Sequence, residues 1–136
     1  MNLILIDSSV FVAYAVESDS NHEKAIKVIK QITNGNFGPV FTSDYIFDET
    51  TTVTFIRSKS LEKAVLVGNY IKNSVQIIKI SEDLFDDSWE IFKNQKKSKF
   101  SFTDCSNISL MESKGIRYIA TFDSEFENSS SIEVVS

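Results

Sequence analysis

Apolar residues fall along this chain in short continuous runs separated by longer stretches of helical periodicity. Leu3–Ile6 is four apolar residues in a row, as expected of a strand buried on both faces. Val10–Val16 predicts a short helix. His22–Thr33 carries Ala25, Val28, Ile29 and Ile32 at helical spacing and predicts an amphipathic one. Asn34–Pro39 is the clearest loop. Val40–Thr42 predicts a second strand, Ser43 caps a helix to about Arg57, and Ser60 caps another to about Asn73. Val75–Ile80 predicts a third strand, and Ser81 caps a helix whose Phe85, Trp89 and Phe92 share one face, read as core. A polar segment, Lys93–Lys99, follows. Thr103 is expected to cap a helix that ends at Gly115, and Tyr118–Thr121 and Ile132–Val135 predict the fourth and fifth strands.

Strands that alternate with helices or helix pairs predict an α/β fold, with a mainly parallel five-stranded sheet covered on both faces. No linker or repeat divides the chain, so residues 1–136 are expected to form a single domain. With 42% hydrophobic and 24% charged residues, the composition is that of an ordinary globular protein. No apolar run approaches a membrane span, and no basic region precedes the first one, which predicts a cytoplasmic protein. The single cysteine, Cys105, excludes an internal disulfide and a cysteine-rich zinc site. The net charge of −5 counts against a general nucleic-acid binder, although a local basic strip could still follow a phosphate backbone.

Four acids contribute to that excess and stand where a parallel α/β fold would gather them. Asp7 and Asp123 closely follow apolar strand runs, and ligands of open parallel sheets bind beyond the carboxyl ends of strands. Asp104 is in the first turn of a helix. Glu49 shares a helical stripe with Ile46, Val53 and Ile56, whereas its neighbour Asp48 falls outside it. Carboxylates brought together away from water need compensation, and hard cations such as Mg²⁺ and Mn²⁺ supply it through oxygen ligands. Each acid alone also has a plainer reading. Asp7 reads as a helix cap, Asp104 as a first-turn helix acid, Asp123 as a turn residue and Glu49 as an ion-pair partner of Arg57.

Four segments carry a resemblance. They are Leu5-Ile6-Asp7-Ser8-Ser9-Val10-Phe11, Asp48-Glu49, Phe100-Ser101-Phe102-Thr103-Asp104-Cys105 and Ala120-Thr121-Phe122-Asp123-Ser124-Glu125-Phe126. In order and separation they resemble the PIN domain nucleases, most closely the VapC-type toxins of prokaryotic toxin–antitoxin pairs. The resemblance covers essentially the whole chain. It implies an α/β/α sandwich and Mg²⁺- or Mn²⁺-dependent cleavage of RNA. It also implies a cognate antitoxin and a homodimer. By the resemblance, Asp7, Glu49, Asp104 and Asp123 form the acidic quartet that binds metal, with Ser9 and Thr121 as supporting hydroxyls.

Among the remaining residues, Lys96, Lys97 and Lys99 border the candidate site and are candidate RNA contacts, as is Arg57 at the end of the Glu49 helix. Each also reads as an ordinary solvated charge. His22, the only histidine, reads as a solvated surface residue, which leaves no Ser-His-Asp scheme within one chain. Two alternatives remain open. One is a PIN-like RNA- or protein-binding module without turnover. The other is an aspartyl-phosphate phosphatase using Asp7, which Asp7-Ser8-Ser9 disfavours because no second acid stands two residues on.

Overall fold

The computed structural model describes residues 2–136. Strands β1 (Ile4–Ile6), β2 (Val40–Ser43), β3 (Gln76–Ile78), β4 (Tyr118–Ala120) and β5 (Glu133–Val135) form one sheet in the order β3-β2-β1-β4-β5. Every neighbouring pair is parallel. The helices are α1 (Ser8–Ala15), α2 (His22–Thr33), α3 (Asp44–Ser58), α4 (Leu61–Ser74), α5 (Glu82–Lys93) and α6 (Phe102–Lys114), with a 3₁₀ turn over Ser124–Asn128. Among the described residues no helix is long and apolar enough to cross a membrane.

The chain steps from β1 to β2 to β3, then returns across the sheet to place β4 on the other side of β1. Parallel crossovers are right-handed, so the two directions of travel put helices on opposite faces. Helices α1 to α4 pack on one another and α5 packs on α6, which gives the predicted α/β/α sandwich. The central strand β1 is fully sequestered between the layers: Ile4 and Leu5 are 0% exposed and Ile6 is 1%. Reversal of strand order beside β1 opens a crevice between the carboxyl ends of β1 and β4.

Three sequence expectations are corrected. The aromatic row of α5 is not core: Phe85, Trp89 and Phe92 are 47%, 49% and 38% exposed. The buried face of α5 is instead Leu84 and Ser88, one turn apart. Ser88 Oγ lies 3.3 Å from Ser109 Oγ on α6, so the two helices meet through small side chains that admit no bulky ring. The aromatics turn outward and cluster around Phe102, with Phe85 5.2 Å and Phe92 6.2 Å from it between ring centroids.

Helix α6 is capped by Ser101 rather than Thr103. Ser101 Oγ accepts from the Asp104 N–H at 3.1 Å, and Asp104 Oδ2 accepts from the Ser101 N–H at 3.0 Å, a reciprocal capping box. Gly115 ends the helix at φ 68°, a left-handed conformation that suits glycine. On α3 the predicted apolar stripe does not stay inside, because Ile56 is 68% exposed. The buried stripe is Ile46, Thr50 and Thr54, with Glu49 half-buried at its margin and Asp48 exposed.

Candidate active site

Asp7 is the first residue beyond β1 and pairs with the neighbouring strand end through its backbone N–H, which donates to the Ala120 carbonyl at 2.9 Å. It holds the N-cap position of α1, yet its side chain does not cap that helix. The carboxylate points elsewhere and is buried, at 4% exposure. Thr121 Oγ1 donates to its Oδ2 at 2.8 Å and Asn107 Nδ2 donates to its Oδ1 at 3.3 Å. Burial pushes the Asp7 carboxyl above its ordinary pKa. The Thr121 hydrogen bond opposes the rise, while the charge of Glu49 adds to it.

Ser9 and Thr121 tie the two strand ends together. Their hydroxyl oxygens are 3.3 Å apart, and Ser9 Oγ also lies 3.4 Å from Asp7 Oδ2. Thr121 gives its one hydroxyl proton to Asp7, so the single Ser9 proton is shared between Thr121 Oγ1 and Asp7 Oδ2. As acceptors, Ser9 Oγ receives the Phe122 N–H at 3.0 Å and Thr121 Oγ1 receives the Asp123 N–H at 3.0 Å. The hydroxyls therefore fix the loop that follows β4 as well as the Asp7 carboxylate.

Asp123 lies within that loop, and its Oδ1 accepts from the Glu125 N–H at 3.0 Å at the start of the 3₁₀ turn. The turn role and a place beside the crevice therefore coexist. Asp104 arrives from α6, clipped by its capping box. Its pKa is pushed up to about 6, chiefly by burial and further by the charges of Asp7 and Asp123, against the pull of the Ser101 N–H. Glu49 arrives from α3, and its Oε1 accepts a hydrogen bond from Ser8 Oγ. Glu49 also borders a surface groove lined by Tyr45, Asp48, Thr52, Val53 and Thr103.

Asp7 thus lies within electrostatic reach of Glu49, and Asp104 within reach of both Asp7 and Asp123, so the four predicted acids share one region of the molecule. Among the described residues none of the four forms a salt bridge. Nor does any group of three acidic, histidine or cysteine side chains there stand close enough to hold an ion unaided.

Residues outside the quartet sort differently. Arg57, a candidate RNA contact and ion-pair partner of Glu49, is instead paired with Asp19 at 2.8 Å. Lys96, Lys97 and Lys99 are exposed on the loop before α6. Gln95 staples that loop: its Oε1 accepts from the Phe100 N–H at 2.8 Å and from Ser98 Oγ at 2.9 Å, and its Nε2 donates to the Phe100 carbonyl at 3.0 Å. His22, expected as a solvated residue, is half-buried, with Nδ1 2.7 Å from the Ala13 carbonyl. Cys105 is buried and its thiol is pushed up to about 11 by burial and by Asp104, which leaves no thiolate for nucleophilic chemistry.

Two site residues escape a reading of the sequence, Ser8 and Asn107. Ser8 looks like a spacer between strand and helix. Asn107 leaves a legible signal, since it stands three and four residues before Leu110 and Met111, a polar residue in the buried stripe of α6.

Comparison with known proteins agrees with this architecture. The PIN domain family model matches residues 4–130. The 23S rRNA-specific endonuclease VapC20 of Mycobacterium tuberculosis is 24% identical over 132 residues, 97% of this chain and 98% of that protein. The VapC ribonuclease of Archaeoglobus fulgidus is 26% identical over 124 residues, 90% of this chain and 78% of that protein. The crystal structure of M. tuberculosis VapC20, described as a Sarcin-Ricin loop cleaving toxin, superposes with a TM-score of 0.83 at 26% identity, covering 96% of this chain and 98% of that one. VapBC2 from Rickettsia felis, bound to a DNA fragment from its promoter, shares the fold at a TM-score of 0.70 and 12% identity, over 98% of this chain and 97% of that one.

Proposed function

The chain belongs to the PIN domain family, and on that footing we propose that it is a single-domain, metal-dependent endoribonuclease that hydrolyses RNA phosphodiester bonds, the toxin of a toxin–antitoxin pair. The observation that supports the reading is that Asp7 lies within electrostatic reach of Glu49, and Asp104 of Asp7 and Asp123, while among the described residues none of the four forms a salt bridge. The names of the two VapC relatives, both ribonucleases, support the substrate class.

The donor chemistry of these four acids suits a divalent metal ion. The donor set is all carboxylate oxygen, the preference of Mg²⁺ and Mn²⁺. Two of the acids are raised in pKa by burial and by neighbouring acids, which is the strain an added cation relieves. When bound by Asp7, Glu49, Asp104 and Asp123, such an ion would offset their charge and stabilise negative charge developing on a phosphoryl oxygen.

The chain's own groups do the positioning. Thr121 and Asn107 fix the Asp7 carboxylate, and Ser9 supports Thr121. The Ser101 capping box fixes Asp104, and the 3₁₀ turn fixes Asp123. Ser8 engages Glu49 Oε1, which leaves Oε2 to orient the attacking water and take its proton. No histidine is required. Lys96, Lys97 and Lys99, on the stapled loop that leads into α6, would contact RNA phosphates. Arg57 could join them only by leaving Asp19.

Exposed apolar side chains support a protein partner, with an antitoxin and a second copy of the chain as the occupants this reading expects. Phe55, Leu61 and Val65 line a groove between α3 and α4, and the α5 aromatics form another patch. The reading also places the protein in the cytoplasm. Incubating purified protein with structured and single-stranded RNAs in Mn²⁺ or Mg²⁺ tests the nuclease. Cleavage that disappears with EDTA and in Asp7→Asn supports it. A wild-type sample inert on all RNAs with both ions points instead to a binding module.

A further inference from the structure

We propose that Asn107 is a fifth polar residue of the site, a positioning residue that sets the Asp7 Oδ1 oxygen for the cation; the inference rests on the metal-nuclease reading above. The two oxygens of Asp7 are treated unequally. Oδ2 receives Thr121 at 2.8 Å and has Ser9 3.4 Å away. Oδ1 has one side-chain donor among the described residues, Asn107 Nδ2 at 3.3 Å, so Asn107 is the side chain that orients this oxygen. Asn107 is 0% exposed, one turn along α6 from Asp104, so a single helix delivers both an acid and the group that orients a second acid.

The other end of the same amide makes a purely structural role hard to sustain. Asn107 Oδ1 is buried with no hydrogen-bond partner. Turning the amide over would set its carbonyl against the Asp7 carboxylate, so the observed orientation is the favourable one and the orphan remains. A half-satisfied polar side chain in a packed helix seam destabilises the fold relative to an apolar residue of the same shape. Local rules broken in this way concentrate at functional sites. Residues that hold metal-ligating carboxylates in place commonly govern metal affinity, by roughly 10–100-fold on mutation.

Asn107→Leu, nearly isosteric, separates the two roles. Mn²⁺ binding to the EDTA-stripped full chain is measured by calorimetry, thermal stability without metal by circular dichroism, and RNA cleavage over a Mn²⁺ series. The expected result is a metal-free melting temperature equal to or above that of wild type, with Mn²⁺ bound roughly 10–100-fold more weakly. Cleavage should be lost at low Mn²⁺ and recover as Mn²⁺ is raised, with the RNA KM little changed. Asn107→Ala, which cannot overpack, makes the same measurement if the leucine distorts the helix seam. A variant that melts lower but binds Mn²⁺ as wild type does would overturn the proposal and leave the nuclease reading standing. Wild type that binds no Mn²⁺ would overturn both.

Discussion

Replacing Asp104 by Asn should stabilise the metal-free protein while abolishing its activity. Both capping-box hydrogen bonds survive the change, since the Asn oxygen can still accept from the Ser101 N–H and the residue 104 N–H still reaches Ser101 Oγ. What disappears is the cost of a charge beside Asp7 and Asp123. The pKa of Asp104 rises from 3.8 to about 6, which at about 1.4 kcal/mol per pH unit is roughly 3 kcal/mol at most. Solvent still reaches this carboxyl and screens its neighbours, so the expected gain is about 1 kcal/mol. For a domain of this size that is a rise of roughly 3–5 °C in melting temperature. A carboxyl whose native pKa exceeds its unfolded value binds its proton more tightly when folded. Wild-type stability therefore falls as pH climbs from 3.8 to about 6, and the full penalty stands above that range. The assay is urea or thermal unfolding in EDTA at pH 5 and pH 7.5. The Asn variant should lead at pH 7.5, and its lead should shrink to about half at pH 5. Added Mn²⁺ should raise wild type more than the variant. An Asn variant less stable than wild type at pH 7.5 would refute the argument that the quartet is electrostatically strained.

Three further outcomes test other parts of the molecule. Changing Lys96, Lys97 and Lys99 together to Ala, in an Asp7→Asn background that binds without cutting, should make single-stranded RNA binding less salt-dependent, the log–log slope falling by about 0.7 for each phosphate the loop no longer neutralises; an unchanged slope would remove the stapled loop from the RNA path. Gly38→Ala should lower the free energy of unfolding by about 1–3 kcal/mol from backbone strain alone, and the urea midpoint with it, because Gly38 has φ +77° and an added Cβ would stand 2.1 Å from the Asn2 carbonyl oxygen; a midpoint equal to wild type contradicts this. Cys105, with its thiol pushed up to about 11, should resist alkylation at pH 7.5 until the protein unfolds, and rapid labelling of the native state would show that the N-terminal part of α6 opens.

The order of strands and helices was legible in the sequence because each element is governed by a local rule. Four apolar residues in a row make Leu3–Ile6 a buried strand, and a serine before each of α3, α4 and α5 supplies the missing acceptor at a helix start. The positions of the four acids were legible too, since a carboxylate at the end of a buried strand stands out against its neighbours. Whether they share one region was beyond the sequence. Asp7 and Asp123 are 116 positions apart, and only the reversal of strand order beside β1 makes their loops adjacent. The structure also decided which polar groups hold the carboxylates. Asn107 and Ser8 look ordinary in the chain, and the lateral packing of α6 and α3 gives them their partners. Helix faces were the least legible feature. Periodicity puts Phe85, Trp89 and Phe92 on one side of α5, but which side turns inward depends on the helix packed against it. A seam built on Ser88 and Ser109 has no room for rings. Local backbone chemistry fixes elements and their ends; the choice of face and the company each acid keeps come from long-range packing, which no local pattern encodes.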